Sequence, residues 1–302
     1  MATPVVGFIG LGNMGGALAG NLVAYGFDVV SFDVAGPDRA PQGSRIAVDV
    51  ADVAREADVV VLSLPDGAVC EEVAAGLASV VDRRLRHVID TSTIGVTAAG
   101  RIAELLAAAG IDYVDAPVSG GVAGAKARRL AVMYAGSDMA VAAVRPVLAG
   151  LSDKIRRVGD RPGLGQALKL ANNFLAATAL AATSEAVTFG VRAGLDMKTM
   201  IEVLNTSSGR NGATDDKFPS EVLTGRYGSG FANTLMAKDV RLYLAEVHNA
   251  ATPDAVGRVT SDLWQRFAAT EPNVDFTRIY PFIEAGSAGD AANSRPTPRT
   301  KG

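Results

Sequence analysis

The stretch VVGFIGLGNMGGALAGNLVAYG, residues 5–26, constrains the fold of this chain more than any other. A short apolar run, Val5 to Ile9, passes through Gly10-x-Gly12-x-x-Gly15 and then takes on helical periodicity from Met14 to Ala24. An isolated GxGxxG is weak evidence, but strand, glycine turn and helix in this order open a dinucleotide-binding βαβ unit. Gly10 permits the tight turn, Gly12 lets a pyrophosphate approach the backbone, and Gly15 lets helix and strand pack closely. The helix start offers N–H groups and a partial positive charge to the phosphates. Gly10, Leu11, Gly12, Asn13, Met14 and Gly15 are therefore the expected cofactor-binding turn. The alternative, a purely structural glycine turn, is disfavoured by this context.

The next strand-like run, FDVVSFD, ends at Asp33, about 20 residues beyond the fingerprint. A carboxylate there accepts two hydroxyl hydrogen bonds from a ribose and repels a 2′-phosphate. That favours NAD over NADP, although Arg39 lies near enough in sequence to help a phosphate. An ordinary capping or turn aspartate is the competing reading. Further strand-like runs follow as ADVVVLSLPD, HVIDTST, IDYVDAPVSGG and LAVMYAGS, separated by Ala-rich helical segments. This alternation predicts an α/β fold with a doubly wound parallel sheet. Ligands bind outside the carboxyl ends of such strands. Those ends carry Leu64-Pro65-Asp66, Thr91-Ser92-Thr93 and Ser119-Gly120-Gly121. The last offers a hydroxyl and backbone N–H groups to a carboxylate. Any of the three alone would read as a turn.

From Gly163 the strand-like runs stop. A long helical stretch, QALKLANNFLAATALAATSEAVTFGVRAG, is followed by DMKTMIEVLNTSS, FANTLMAKDVRLYLAEVHNA and DAVGRVTSDLWQRFAAT, all with apolar spacings of three and four. The expected organisation is a nucleotide-binding domain over 1–162, an all-helical domain over 163–286 and a disordered tail over 287–302. The long helix is expected to form one wall of a cleft between the domains.

Composition narrows the function. The net charge is −3, with no basic stripe, so no nucleic-acid partner is expected. The uninterrupted apolar runs are too short to cross a bilayer and the N-terminus has no signal-like core, so a cytoplasmic protein with no membrane partner is expected. One cysteine, Cys70, cannot form an internal disulfide, and two distant histidines, His87 and His248, make a metal site unexpected. If the protein transfers protons, histidine is a poor candidate for the carrier, which raises interest in Lys169.

Lys169 sits among Leu168, Leu170 and Ala171, with Asn173 four residues on and so on the same helical face. Gly163 and Gly165 put little bulk where this helix begins. Spacing leaves two readings open: a surface lysine whose stem snorkels along apolar neighbours, or a catalytic lysine whose ammonium donates to a carbonyl and whose amine is a base for an alcohol. Asn173 could then hold substrate or lysine in register.

Taken together, GFIGLGNMG, VDAPVSGG, Gly163-x-Gly165-x-x-x-Lys169-x-x-Asn172-Asn173 and FANTLMAKD resemble the β-hydroxyacid dehydrogenases, in order and over nearly the whole chain. The resemblance implies a Rossmann domain followed by a helical domain that also carries the subunit interface, in a homodimer or homotetramer. It implies an NAD-dependent oxidoreductase, with NADP as the second cofactor, acting on a small carboxylate-bearing β-hydroxy acid or its semialdehyde. Lys169 matches the catalytic lysine and Asn173 the substrate-binding asparagine. Ser119, Gly120 and Gly121 match the loop that binds the substrate carboxylate. Leu64, Pro65 and Thr93 match cofactor contacts, and Lys238, beside Asp239, matches a second lysine lining the cofactor and substrate pocket. The chain departs from the family pattern after the SGG loop, where Arg128 and Arg129 stand in place of the common Gly-Thr. A solvated turn is the plainer reading of that pair, and an added positive charge for a more anionic substrate the sharper one. Arg210 is open to the same two kinds of reading. Imine reduction on the same scaffold is disfavoured because related imine reductases generally lack a lysine at the Lys169 position. A non-catalytic nucleotide-binding interaction protein is disfavoured by the intact Lys169, Asn173 and SGG residues.

Overall fold

The computed structural model describes residues 3–293. Its first elements are β1 (Val6–Ile9), α1 (Asn13–Tyr25), β2 (Val29–Phe32), β3 (Arg45–Ile46), α2 (Val50–Glu56), β4 (Val59–Leu62), α3 (Gly67–Ser79) and β5 (His87–Asp90). They continue as α4 (Val96–Ala108), β6 (Asp112–Asp115), β7 (Val118–Ser119), α5 (Gly121–Lys126), β8 (Ala131–Ala135), α6 (Asp138–Leu151) and β9 (Lys154–Gly159). The strands form one sheet in the order β3-β2-β1-β4-β5-β6-β8-β7, with β9 paired to β8. From β3 through β6 every pairing is parallel. The chain leaves β1 in one direction through β2 and returns past it to β4, so the order reverses between β1 and β4. That is the switch point beyond which doubly wound sheets bind ligands.

Alternation along the strands feeds two cores. Val6, Phe8, Val59 and Val61 enter the layer shared with α1 and α6. Ile9, Val60 and Leu62 enter the opposite layer with residues of α2, α3 and α4. Burial on both faces explains the continuous apolar runs.

The IDYVDAPVSGG run breaks into two strands. Pro117 has no N–H to offer a ladder; β6 ends before it, and β7 beyond it pairs antiparallel with β8. The sheet therefore closes with an antiparallel edge that the alternation did not predict. β9, KIRRVG, is an exposed edge strand whose charges hid it.

The remaining helices are α7 (Leu164–Arg192), α8 (Met197–Leu204), α9 (Asn233–Asn249), α10 (Ala255–Thr270) and α11 (Ile279–Asn293), with a wide π-helical segment at Ala213–Val222. One compact unit takes in the chain through Asn172 together with Ala245–Ala251; the other takes Asn173–Leu244 and the chain from Thr252 on. The second unit is built on Trp264, Phe267, Phe218 and Ile279, all buried, and Trp264 Nε1 donates to the carbonyl of Ala177 at 3.2 Å.

Two expectations need correction. α7 is long and apolar enough, by length and composition, to cross a membrane, although no uninterrupted apolar run suggested it. It buries Leu170, Ala177, Leu180 and Val187 inside the protein, as a core helix does. α11 also runs on through 287–293, a stretch expected to be disordered. Ala288, Ala291 and Ala292 are strong helix formers. The remainder of that expected tail, 294–302, lies outside the described residues.

Candidate active site

The glycine turn has the shape that a pyrophosphate requires. Gly10 has φ +94°, and a Cβ on it would lie 2.3 Å from the Ser63 carbonyl oxygen. A Cβ on Gly15 would lie 1.9 Å from the Gly10 carbonyl oxygen, so α1 packs against the end of β1 only because residue 15 has no side chain. A Cβ on Gly12 would meet nothing within 4 Å. Packing therefore demands Gly10 and Gly15, while Gly12 leaves open space in front of the α1 N-terminus. No acidic residue stands in the first turn of α1 to compete with an anion.

Asp33 follows β2 and reaches back to this turn. Its Oδ2 accepts from the Leu11 N–H at 2.5 Å and its Oδ1 from the Ala35 N–H at 2.8 Å. Each carboxylate oxygen has a further lone pair for a hydroxyl donor. Asp33 borders a cavity of about 130 Å³ walled by Leu11, Pro37, Ile46 and Val48. Apolar walls beside one carboxylate suit a nucleoside, with the ribose at the acid.

The strand ends beyond the switch point are laced together. Ser63 N donates to the Ile9 carbonyl at 3.0 Å, and Leu64 N to Ser92 Oγ at 2.9 Å. Thr91 Oγ1 donates to the Leu62 carbonyl at 2.6 Å. Thr91 and Ser92 are thus buried structural ties, while Thr93 stays partly exposed. Asp66 caps α3 by accepting from Val69 N at 3.0 Å. Behind them Asp90 accepts from Ser92 N at 2.9 Å and from Tyr113 Oη at 3.1 Å. Burial pushes its carboxyl above the usual range, against the pull of those bonds. The Cys70 thiol, 3.5 Å from Ser92 Oγ, is likewise pushed up by burial and is not a reactive thiolate.

α7 begins against β6. Gly163 has φ +93°, and a Cβ on Gly165 would lie 2.5 Å from the Met133 carbonyl oxygen and 2.7 Å from Asp115 Oδ2. Asp115 accepts from Gly163 N at 3.0 Å and Gln166 N at 2.8 Å, two N–H groups at the start of the helix. Burial raises its carboxyl to about 7, with the nearby charge of Asp90 adding to the rise and the two N–H bonds opposing it. Lys169 is 7% exposed and Asn173 5%. The snorkelling reading of Lys169 is therefore wrong: the side chain is inside.

Ser119 closes β7, paired with Ala131, and Gly120 and Gly121 have φ of +133° and +67° at the start of α5. A residue with a side chain strains at either glycine. Arg128 has a structural role. Its guanidinium donates to the carbonyls of Gly150 and Ala149 at 2.5 and 2.9 Å at the end of α6, and pairs with Asp153 at 3.0 Å. Arg129 is exposed.

In the second unit, Asn173 Nδ2 donates to Asp239 Oδ2 at 2.6 Å, and Lys238 Nζ lies 3.3 Å from Asp239 Oδ1. One buried carboxylate thus meets two of the expected site residues. Phe174 stacks on Tyr243 with ring centroids 4.2 Å apart. Arg210 is exposed and pairs with Asp215 at 2.8 Å.

Sequence reasoning passed over Gln166, Asp115 and Asp90, and noted Asp239 only as a neighbour of Lys238. Gln166 and Asp115 lie within the motifs shared with the family, but a glutamine in a helix and an aspartate ending a strand carry no local signal of burial.

The chain matches the family model for the NAD binding domain of 6-phosphogluconate dehydrogenase over residues 5–159. Over residues 163–283 it matches the model for the NAD-binding region of NADP-dependent 3-hydroxyisobutyrate dehydrogenase. It is 36% identical to the 3-hydroxyisobutyrate dehydrogenase of Pseudomonas aeruginosa, covering 91% of this chain and 96% of that protein. The chain belongs to the β-hydroxyacid dehydrogenases. Within this family it is also 36% identical to 2-(hydroxymethyl)glutarate dehydrogenase of Eubacterium barkeri, over 79% of this chain and 81% of that one. A solved structure of the Mycobacterium tuberculosis 3-hydroxyisobutyrate dehydrogenase with L-serine superposes with a TM-score of 0.86 at 31% identity, covering 93% of this chain and 99% of that chain. This β-hydroxyacid dehydrogenase is thus an oxidoreductase of hydroxy acids that uses NAD, with NADP as the second candidate.

Proposed function

We propose that the protein oxidises the primary alcohol of a small acid of the form HOCH2–CHR–COO⁻ to the semialdehyde, and reduces it in reverse. Three molecules named among its relatives, 3-hydroxyisobutyrate, 2-(hydroxymethyl)glutarate and L-serine, share that form and differ in R. The carrying observation is the burial of Lys169, on the helix whose first turn Asp115 caps. Nicotinamide, when bound, accepts or supplies the hydride. The Gly12 opening and the Asp33 cavity suit its dinucleotide. Lys169 takes the hydroxyl proton during oxidation and returns one to the carbonyl oxygen during reduction. Ser119 Oγ and the Gly120 and Gly121 N–H groups hold the carboxylate. Asn173, hydrogen-bonded to Asp239, and Lys238, ion-paired with it, orient the substrate.

The protein assembles as a homodimer or homotetramer. Phe189 is 76% exposed and Leu175 65% on α7, and an apolar surface of this kind suits a second copy. Light scattering of the purified chain tests the assembly; a monomer at micromolar concentration removes it.

The function is tested with a panel of hydroxy acids varying R, with NAD and with NADP, followed by nicotinamide absorbance. Oxidation of at least one HOCH2–CHR–COO⁻ acid is expected, with none of the matching amide. Equal turnover of acid and amide would remove the carboxylate from the proposal.

A further inference from the structure

Gln166 is fully buried and satisfies three backbone groups of one loop. Its Oε1 accepts from the N–H of Ile94 at 2.9 Å and of Gly95 at 3.2 Å, and its Nε2 donates to the carbonyl of Ser92 at 2.9 Å. The bonded residues bracket Thr93. The same residue's backbone N–H is held by Asp115, so the side chain is fixed from β6 as well as along α7. Lys169 follows three residues later, on the adjacent turn of the same helix. From Ser92 the linkage continues through Oγ to Leu64 N at the end of β4.

A glutamine amide whose donor and acceptor both end on one four-residue loop does more than fill a core. An apolar side chain of equal volume would leave two N–H groups and a carbonyl buried without partners. A serine or alanine would not reach them.

We propose that Gln166 is a positioning residue for hydride transfer: it fixes the loop 92–95 against the helical turn that carries Lys169. This rests on the functional reading above, in which Lys169 meets the substrate hydroxyl, and on the cofactor contact that the family resemblance implies for Thr93. Chemistry of this kind is sensitive to placement, and a misplacement of about 1 Å can cost about a hundredfold in rate.

The test uses the full chain, two Gln166 variants and Lys169→Ala as a control. Gln166→Met keeps the volume and removes all three hydrogen bonds. Gln166→Glu keeps an acceptor for Ile94 and Gly95 and loses the donor to Ser92. In hydrogen exchange without ligand, the Ile94 and Gly95 amides are expected to exchange at least about tenfold faster in Gln166→Met. Lys169→Ala should leave them as slow as in the wild type. With NADH as the binding probe, Kd is expected within about threefold of wild type, while kcat on the best hydroxy acid falls about 10–100-fold and KM moves less than about threefold. Gln166→Glu should fall between Gln166→Met and the wild type in kcat. The proposal is overturned if folded Gln166→Met keeps kcat within twofold, if KM rises as far as kcat falls, or if exchange at 94–95 does not change. Failure of both variants to fold also overturns it, since Gln166 would then serve folding. A wild-type protein inert toward every acid would sink the functional reading and the hydride-transfer role with it, whereas the fixing of loop 92–95 is judged separately by exchange, which is read without turnover.

Discussion

Asn173 and Asp239 are joined by a 2.6 Å hydrogen bond between side chains that are 5% and 3% exposed. The bond commits the NH2 end of Asn173 to the carboxylate, so its carbonyl oxygen points elsewhere, as an acceptor with a set direction. Lys238, 3.3 Å from the other carboxylate oxygen, is steered by the same group.

Asp239→Asn keeps the shape but removes the charge that selects this orientation. We expect kcat/KM for the acid to fall about 10–100-fold, since one charge-assisted bond of about 1.5–3 kcal/mol is lost. Steady-state kinetics check this, and wild-type kcat/KM in a folded variant would rule out the orienting role.

Lys169→Ala is expected to fold, to bind NADH through the glycine turn, and to lose about two to four orders of magnitude in kcat. Lys169→Arg should be nearly as poor, because a guanidinium does not give up its proton near neutral pH. Turnover within tenfold of wild type on a confirmed substrate would count decisively against the lysine.

The glycines of the turn should separate by function. Gly12→Ala has room for its methyl, so Tm should change little while the Kd for NADH rises at least about tenfold, because the methyl enters the space kept for phosphate. Gly15→Ala puts a carbon 1.9 Å from a backbone oxygen and should unfold or severely destabilise the chain. Calorimetry with fluorescence titration distinguishes the two. A Gly12→Ala protein with wild-type affinity would place the phosphates elsewhere.

Asp33→Ser removes the charge that repels a 2′-phosphate along with the anchor on Leu11 N. The ratio of kcat/KM for NADP over NAD is expected to rise about tenfold. An unchanged ratio would mean that Asp33 only shapes the turn.

Asp115 makes stability depend on pH. Burial raises its carboxyl from 3.8 to about 7 in the folded chain, so the native state holds a proton that the unfolded state releases. Its contribution is complete below 3.8 and is lost as pH rises through about 7. Asp90 is shifted in the same direction. Urea unfolding should therefore show lower stability at about pH 8 than at about pH 5, by an amount on the order of 1–4 kcal/mol from Asp115. Asp115→Asn should flatten that slope; identical slopes would clear Asp115 of the effect.

The parallel half of the sheet was legible because its signals are local. Apolar runs of four residues, the spacing of Gly10, Gly12 and Gly15, and an acid after β2 each announce themselves within a short window. α7, α8, α9 and α10 were equally plain from their periodicity, whereas the π-helical segment at Ala213–Val222 and α11 were not. The burial of Lys169 and the pairing of Asn173 with Asp239, 66 residues away, had no such window, since burial and long-range partners are settled by packing. Spacing left Lys169 undecided, and only the resemblance favoured the interior. Arg128 was invisible in another sense: its sequence allowed a solvated turn or an added charge for an anionic substrate, and its partners are the end of α6 and Asp153.

Gln166, Lys169 and Asn173 lie on one unbroken helix at intervals of three and four residues. A single residue inserted between Gln166 and Asn173 would rotate everything downstream by about 100°. Substitution can tune this segment, but an insertion or deletion cannot. Surface loops away from the glycine turn, residues 92–95 and Ser119–Gly121 can change length without disturbing this spacing, so insertions between relatives are expected outside the eight residues 166–173, whose number sets the angle between the three side chains.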